Sequence, residues 1–560
     1  MFHTLCERDG QSPGDCSMDD ALGFREDRLA VIRSKHARQG LSEQTTKMSL
    51  RSQALFRHGV ASGDPLSTAV IIWSRVTPPQ RGALAVKWEV STEPDLVEIV
   101  ACGTAMAEES SDYTIKVDVT GLHPYTDYYY RFETLSTKSR IGHTKTLPAG
   151  DPTRHVRIGV CSCAKYTSGY FNAYARMAER ADLDFVVHLG DYIYEVGTDD
   201  GKAPGPRIGR VMDPPHECRT LSDYRRRYAH YRLDPDLQQL HAHHALIATV
   251  DDHEICFDSW RGGSPRHRAN GPGEWEERQA AALRAWREWL PVRVQASHPE
   301  RIYRAFSVGD LADLIVLDGR TMRDRQSRDP MLTADATHSL LGPEQMDWVR
   351  DQLNASAANW RLFANSVMIG QMYSRSLSQR VAERLAELNL LSAAGAPDPD
   401  QWDGYSGERE ALFVFLEHNG VPDNVFLSGD VHTAWAINLS RDPMDREAPP
   451  VGIEVVTASV TSENYDDRAA SSAGSPIADV ERFLVRENPH VRWTDLDGHG
   501  YIVLDVTPEV VQADWYVVPE IGRRSPREYF ESGWRVMRGE SRLRPAHGPA
   551  PSIPAARHRG

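Results

Sequence analysis

Three apolar runs of strand length, each ending abruptly in acidic or imidazole side chains, constrain this chain more than anything else in it. Phe185 to Leu189 runs into Gly190-Asp191-Tyr192-Ile193-Tyr194-Glu195, Ala245 to Val250 into Asp251-Asp252-His253-Glu254, and Asn424 to Ser428 into Gly429-Asp430-Val431-His432. A single Asp after Gly is more often a turn residue than a ligand. A strand that is apolar throughout, however, is buried on both faces, and open α/β sheets present their sites beyond the carboxyl ends of such strands. Three occurrences of one pattern imply donors converging on one edge of a sheet.

The order of elements agrees. His155 to Cys163 is strand-like, Gly169 to Ala181 has helical spacing with Phe171, Tyr174, Met177 and Ala178 on one side, and the Phe185 strand follows. This β-α-β order implies parallel strands with a right-handed crossover. Further strands are expected at 313–318, 360–369, 452–459, 500–506 and 511–518, and helices at 221–231, 274–290, 343–353 and 408–418. The arginines of 221–231 read as a solvated face. Residues 53–148 differ: short β-rich runs (69–73 and 85–90) alternate with Gly, Pro and Asp turns. Leu122-His123-Pro124-Tyr125-Thr126-Asp127-Tyr128 leads into an alternating aromatic strand and resembles the tyrosine corner of fibronectin type III sandwiches, whose hydroxyl bonds back to the main chain. The expected organisation is an α/β protein. A flexible leader (1–50) precedes a small fibronectin-III/Ig-like β-sandwich (53–148), a larger α/β domain (153–520) and a C-terminal tail (521–560) that reads as disordered from Pro545.

Composition excludes some roles. A formal charge of -15 argues against a general nucleic-acid binder, because phosphate backbones reward basic surfaces. Seven scattered cysteines are an odd number and make no disulfide framework, so at least one thiol is free. No run approaches the roughly 18 apolar residues of a membrane span. Residues 1 to 47 are polar and hold no apolar signal core, so a cytoplasmic compartment is expected of the chain as written.

Two hard metal ions held side by side need a bridging carboxylate and a mixture of N, O and S donors. Asp191 is the natural bridge. Tyr194, three residues on, brings a phenolate, which favours Fe(III), and Cys163 at the preceding strand end adds a thiolate. His432 supplies imidazole, while Asp252 and Asp430 suit a hard divalent ion. His253, following Asp252, is placed to protonate a leaving oxygen, with Glu254 orienting it. Asp251 reads as structural. Each alone has a plainer reading: Cys163 as a small buried hydrophobe, Tyr194 as a core aromatic, Gly-Asp-Val-His as a turn. Their conjunction at strand ends outweighs those readings.

The same residues resemble the PhoD-like alkaline phosphatases and phosphodiesterases of the calcineurin-like metallophosphoesterase superfamily. The resemblance runs through Gly59-Val60-Ala61-Ser62-Gly63-Asp64-Pro65, Trp73-Ser74-Arg75-Val76, Ser162-Cys163, the three motifs above and His499-Gly500-Tyr501, covering nearly all of 53–520. It implies a metallophosphoesterase-type layered α/β sandwich for 153–520 and an Fe(3+) centre with Ca(2+) beside it. Cys163, Asp191, Tyr194 and His432 match iron ligands, Asp191, Asp252 and Asp430 match calcium donors, and His253 matches the proton donor. Metal-bound hydroxide would then attack a phosphate monoester or diester in line. Departures from the family pattern are Val250 before the paired Asp, and Cys256-Phe257-Asp258 in place of a stretch that often carries Asn and Asp. Asp258 is retained as a possible calcium ligand. Ala364-Asn365-Ser366-Val367 keeps Asn365 as a possible polar contact, and Asp318-Gly319-Arg320 leaves Arg320 to touch substrate or to brace a loop. Family members are typically exported, in conflict with the leader. Substrates would be small, lipid or polymer phosphate esters, and a monomer is expected. The alternatives are a phospholipase-D-like phosphodiesterase and a non-catalytic scaffold or adhesion protein.

Overall fold

The computed structural model describes residues 54–150, 152–198, 208–268, 273–372, 398–465, 467 and 477–552. Among these, ten strands form one sheet and seven another. Val60–Gly63, Ala245–Ala248, Phe185–His188 and Val156–Cys161 run parallel at the centre of the first. Ala312–Val316, Trp360–Ala364, Asn424–Ser428 and Gly452–Val456 run parallel in the second. Antiparallel strands flank both sets.

The side chains show how the layers stack. In Val156–Cys161, Val156, Ile158 and Val160 enter a core shared by the two sheets, whereas Cys161 points into a core under the helices. The second sheet alternates likewise, with Leu314, Leu362 and Leu427 facing the first sheet and Ile315, Phe363 and Phe426 facing helices on the far side. Asn172–Ala178, Leu221–Tyr231, Pro235–His243 and Glu274–Trp289 cover the first sheet. Pro343–Ala355, Ser406–His418 and Ile477–Glu487 cover the second. The product is a four-layer α/β/β/α sandwich. Continuous apolar strands arise at the centre of each sheet, where both faces of the parallel strands are covered.

The N-terminal β-rich region joins this body instead of standing apart. Val60–Gly63 lies parallel to Ala245–Ala248, so one face of the small sandwich is a continuation of the first sheet, through Ala69–Arg75 and Thr114–Thr120. Its other face is the sheet of Leu84–Ser91, Ile99–Ala107 and Asp127–Thr134. The two enclose their own core of Val60, Val70, Ile72, Val86, Val90, Ile115, Tyr130 and Phe132. Local pattern marks strands but carries no information on which partner completes a sheet. The tyrosine corner forms: the His123 N–H donates to the Tyr128 hydroxyl at 2.8 Å.

The expected tail from 521 is not one. Tyr529–Met537 pairs with Val510–Val517 in the first sheet, and Ala550 is fixed by its N–H to Asp514 at 2.7 Å. Long-range pairing supplies order that a Pro- and Arg-rich composition did not suggest. The expected leader, and the last eight residues, lie outside the described residues. None of the described helices is long and apolar enough to cross a membrane.

Candidate metal centre

The carboxyl ends of the parallel strands of both sheets meet at one mouth. The sequence placed its three motifs on one sheet. In the structure Cys163, Asp191 and Asp252 follow strands of the first sheet, and Asp430 and His432 follow a strand of the second. Close approach makes this possible. A side chain on Gly190 (φ 104°) would meet the Asp251 Cβ at 2.4 Å, and one on Gly429 would meet Ser162 Oγ at 2.6 Å. Cys163, Asp191, Asp430 and His432 all adopt positive φ, at 61°, 56°, 66° and 61°. Four non-glycine residues in the left-handed region at one mouth mark backbone strain spent on aiming side chains.

Ligand atoms of Cys163, Asp191 and His432 lie within 4.8 Å of one another, and so do those of Asp191, Asp251, Asp252 and Asp430. Asp191 belongs to both groups. Tyr194 joins the first: its hydroxyl donates to Asp191 Oδ2 at 2.7 Å, accepts from Ser462 Oγ at 2.5 Å and lies 3.3 Å from His432 Nε2. The backbone carbonyls of Tyr194 and Val196 are gripped by Arg227, which is fully buried. That arginine belongs to the helix whose arginines were expected to face solvent. Half-buried helices put some of their charged positions inward when unpaired carbonyls await them.

The electrostatics call for cations. Burial lifts the Asp191 carboxyl well above the usual range; Asp252, Asp251 and Glu254 add to this and His253 opposes it. Burial, and then Asp251, do the same to Asp430, against Arg320. Burial and the neighbouring carboxylates hold the Cys163 thiol and the Tyr194 phenol well above their ordinary values. Asp252 Oδ1 and Asp251 Oδ2 are buried without a hydrogen-bond partner. Acceptors crowded and orphaned in this way fit metal coordination, since a cation satisfies the oxygens and draws protons from thiol and phenol.

His253 stands beside the shared carboxylate, its ring 4.0 Å from that of Tyr194. The residue that orients it is Glu195, not Glu254. Glu195 Oε2 is 2.6 Å from His253 Nδ1, and its other oxygen accepts the Phe257 N–H at 2.9 Å. Burial works against charge on His253, but Asp252, Glu195 and Asp191 outweigh it and lift the imidazole well above 6.5. Burial likewise opposes Glu195, yet His253 holds it down at about 2. Glu254 instead accepts N–H groups from Asp191, Tyr192 and Asp251 at 2.9, 2.5 and 2.6 Å, tying two strand-end loops together. Sequence reasoning passed over Glu195, which only its contact with His253 identifies.

Two of the remaining candidates, Arg320 and Asn365, are engaged as braces. Arg320 is fully buried; Nε pairs with Asp251, Nη1 donates to Asp400 at 2.7 Å, and Nη2 lies 3.8 Å from Asp252 and 3.6 Å from Asp430. Nη2 has no hydrogen-bond partner and is shut off from solvent, so Arg320 is a fixed counter-charge and out of reach of a substrate. Asn365 spends its amide on Val367 O, on Ser428 Oγ at 3.2 Å and on the Trp402 indole at 3.3 Å. Asp258 donates its N–H to Asp252 Oδ2 at 2.5 Å. Tyr192 packs at 1% exposure, its hydroxyl 2.7 Å from His241.

A cation-seeking cage at the mouth of two stacked sheets, flanked by an oriented imidazole, belongs to the metallophosphoesterases. Comparison with known proteins narrows this. Residues 158–515 match the model of the PhoD-like phosphatase, and residues 42–148 that of its N-terminal domain. Alkaline phosphatase D of Bacillus subtilis (strain 168) is 35% identical over 483 residues, which cover 83% of this chain and 78% of that protein. A solved structure of PhoD superposes with a TM-score of 0.79 at 32% identity, covering 89% of this chain and 93% of that one. Purple acid phosphatase PPD1 of yellow lupin shares the fold, with a TM-score of 0.51 at 11% identity over 86% of this chain and 73% of its own. The chain belongs to the PhoD-like phosphatase family. It is a metal-dependent phosphoric ester hydrolase, and the scaffold alternative falls.

Proposed function

We propose that Cys163, Asp191, Tyr194 and His432 hold Fe(III), that Asp191, Asp252 and Asp430 hold Ca(II) beside it, and that phosphate monoesters or diesters are hydrolysed there. The observation that carries this reading is the position of Asp191, common to a thiol–phenol–imidazole group and to an all-carboxylate group. The first donor set suits a trivalent transition metal, and the second a hard divalent ion. When bound, the ions supply Lewis acidity toward the phosphoryl oxygens and lower the pKa of the attacking water. The chain's own residues do the rest. Glu195 fixes His253 by Nδ1, leaving Nε2 to give its proton to the departing alkoxide. Glu254 holds the Asp191 and Asp251 loops at a fixed spacing, and Arg320 balances carboxylates that substrate cannot reach.

The test is metal analysis combined with hydrolysis of nitrophenyl phosphate and bis-nitrophenyl phosphate, on wild type and Asp191→Asn. The substitution should release both metals and lower kcat/KM at least ~10³-fold, as expected when a bridging ligand and its charge are lost. Full activity in the mutant, or active wild type without iron, would overturn the assignment.

A further inference from the structure

Gln401 lies far in sequence from every ligand motif, yet it reaches the mouth. Its Nε2 donates to Asp430 Oδ2, and its Oε1 accepts the Met368 N–H at 2.7 Å. The two bonds fix the amide's orientation, since a flip would set its carbonyl oxygen against a carboxylate and its NH₂ against an N–H. The backbone is pinned as well: the Trp402 N–H donates to Met368 O at 3.2 Å, and the Gly404 N–H to Gln401 O at 3.0 Å. A side chain on Gly404 would meet Pro399 O at 2.0 Å, so this turn requires glycine there. Next to it, Asp400 is held by Arg320 and Arg323, both fully buried. Gln401 is therefore a rigid arm 7% exposed, and its side chain ends on one oxygen of a single carboxylate.

We infer that Gln401 is a positioning residue for the divalent half of the centre: it holds Asp430 Oδ2 and so fixes the direction in which Oδ1 is presented to the ion. This rests on the two-metal reading above. Oδ1 faces the Asp252 side, where Arg320 Nη2 stands 3.6 Å away. A carboxylate whose Oδ2 is held in this way would offer the ion Oδ1 in a fixed orientation. Partners that orient a ligand without touching the metal commonly change its affinity 10–100-fold.

The experiment is calorimetric titration of calcium into the iron-loaded protein, for wild type, Gln401→Leu and Gln401→Glu, with the visible spectrum recorded alongside. In Gln401→Leu the calcium Kd should rise ~10–100-fold. The iron colour should not change, and kcat should return at saturating calcium while KM for the metal stays raised. Gln401→Glu, nearly the same size, sets a carboxylate against Asp430 and should weaken calcium at least as much. Wild type that binds no calcium defeats the two-metal reading itself. Wild type that binds while both variants bind equally well defeats the role of Gln401 alone. Loss of colour together with calcium would mean general disruption, and would likewise overturn the inference.

Discussion

The two sheets contribute unequally to their common mouth. The first delivers Cys163, Asp191, Tyr194, Asp252 and His253, that is, most of the donors and the shared carboxylate. The second delivers Asp430 and His432, but also Arg320 and Asn365, whose side chains are spent on bracing. One side of the site is thus built for chemistry and the other largely for holding. Strained residues are kept in place only where the surroundings over-determine them; Glu254 and Arg227 do this for the Asp191 loop, and Arg320 with the turn at Asp400–Gln401 does it for Asp251 and Asp430.

Substitutions on the two sides should separate these roles. The largest effect on stability is expected from Arg320→Gln, which removes the partner of Asp251 and Asp400 and leaves buried carboxylates uncompensated, at about 3–5 kcal/mol. Urea unfolding of the metal-free protein measures it. A loss of activity without a loss of stability would move Arg320 into the chemistry and blur the division.

Acid should act on the first sheet. Burial, helped by neighbouring positive charge at His58 and His244, keeps His58, His188 and His244 neutral, with values of about 2, 3 and 3. All three are depressed in the folded state, so the unfolded chain binds more protons once pH falls below its own value near 6.5. Stability is then full above that value and declines beneath it, by about 2–3 kcal/mol between pH 7.5 and 6 for the three together. Replacing His188 with Gln should remove about a third of that slope, read from urea midpoints across pH. An unchanged slope would mean that these rings are hydrated.

The smallest effect on stability, about 1 kcal/mol, is expected of Tyr194→Phe, which loses hydrogen bonds to Asp191 and Ser462. Its signature is spectral: the visible charge-transfer band should vanish while calcium binding persists. A retained band would remove Tyr194 from the iron half.

Much of the mouth was legible because each of its donor side chains follows a run too apolar to be anything but a covered strand. Cys163, Asp191, Asp252, Asp430 and His432 were singled out by that logic, and Tyr194 by its three-residue spacing from Asp191, and the structure brings them together. Glu195 was missed because a charged residue after a tyrosine has no local signature until His253 stands beside it. Gln401 was invisible: 29 residues separate it from Asp430, and its meaning rests wholly on two hydrogen bonds. The strand Tyr529–Met537 was lost for a related reason, since with only two of its nine residues buried it carries little apolar pattern.

By itself the sequence determined the layers, the strand ends and the chemical kinds of donor, because burial and period are local properties of composition and order. Only the tertiary structure decided which sheet each motif serves, that Glu195 orients His253, that Arg320 is sealed from substrate, and that an amide from a distant turn holds Asp430. Those outcomes depend on which segments approach one another, and a run of apolar residues specifies that it will be covered without specifying by what.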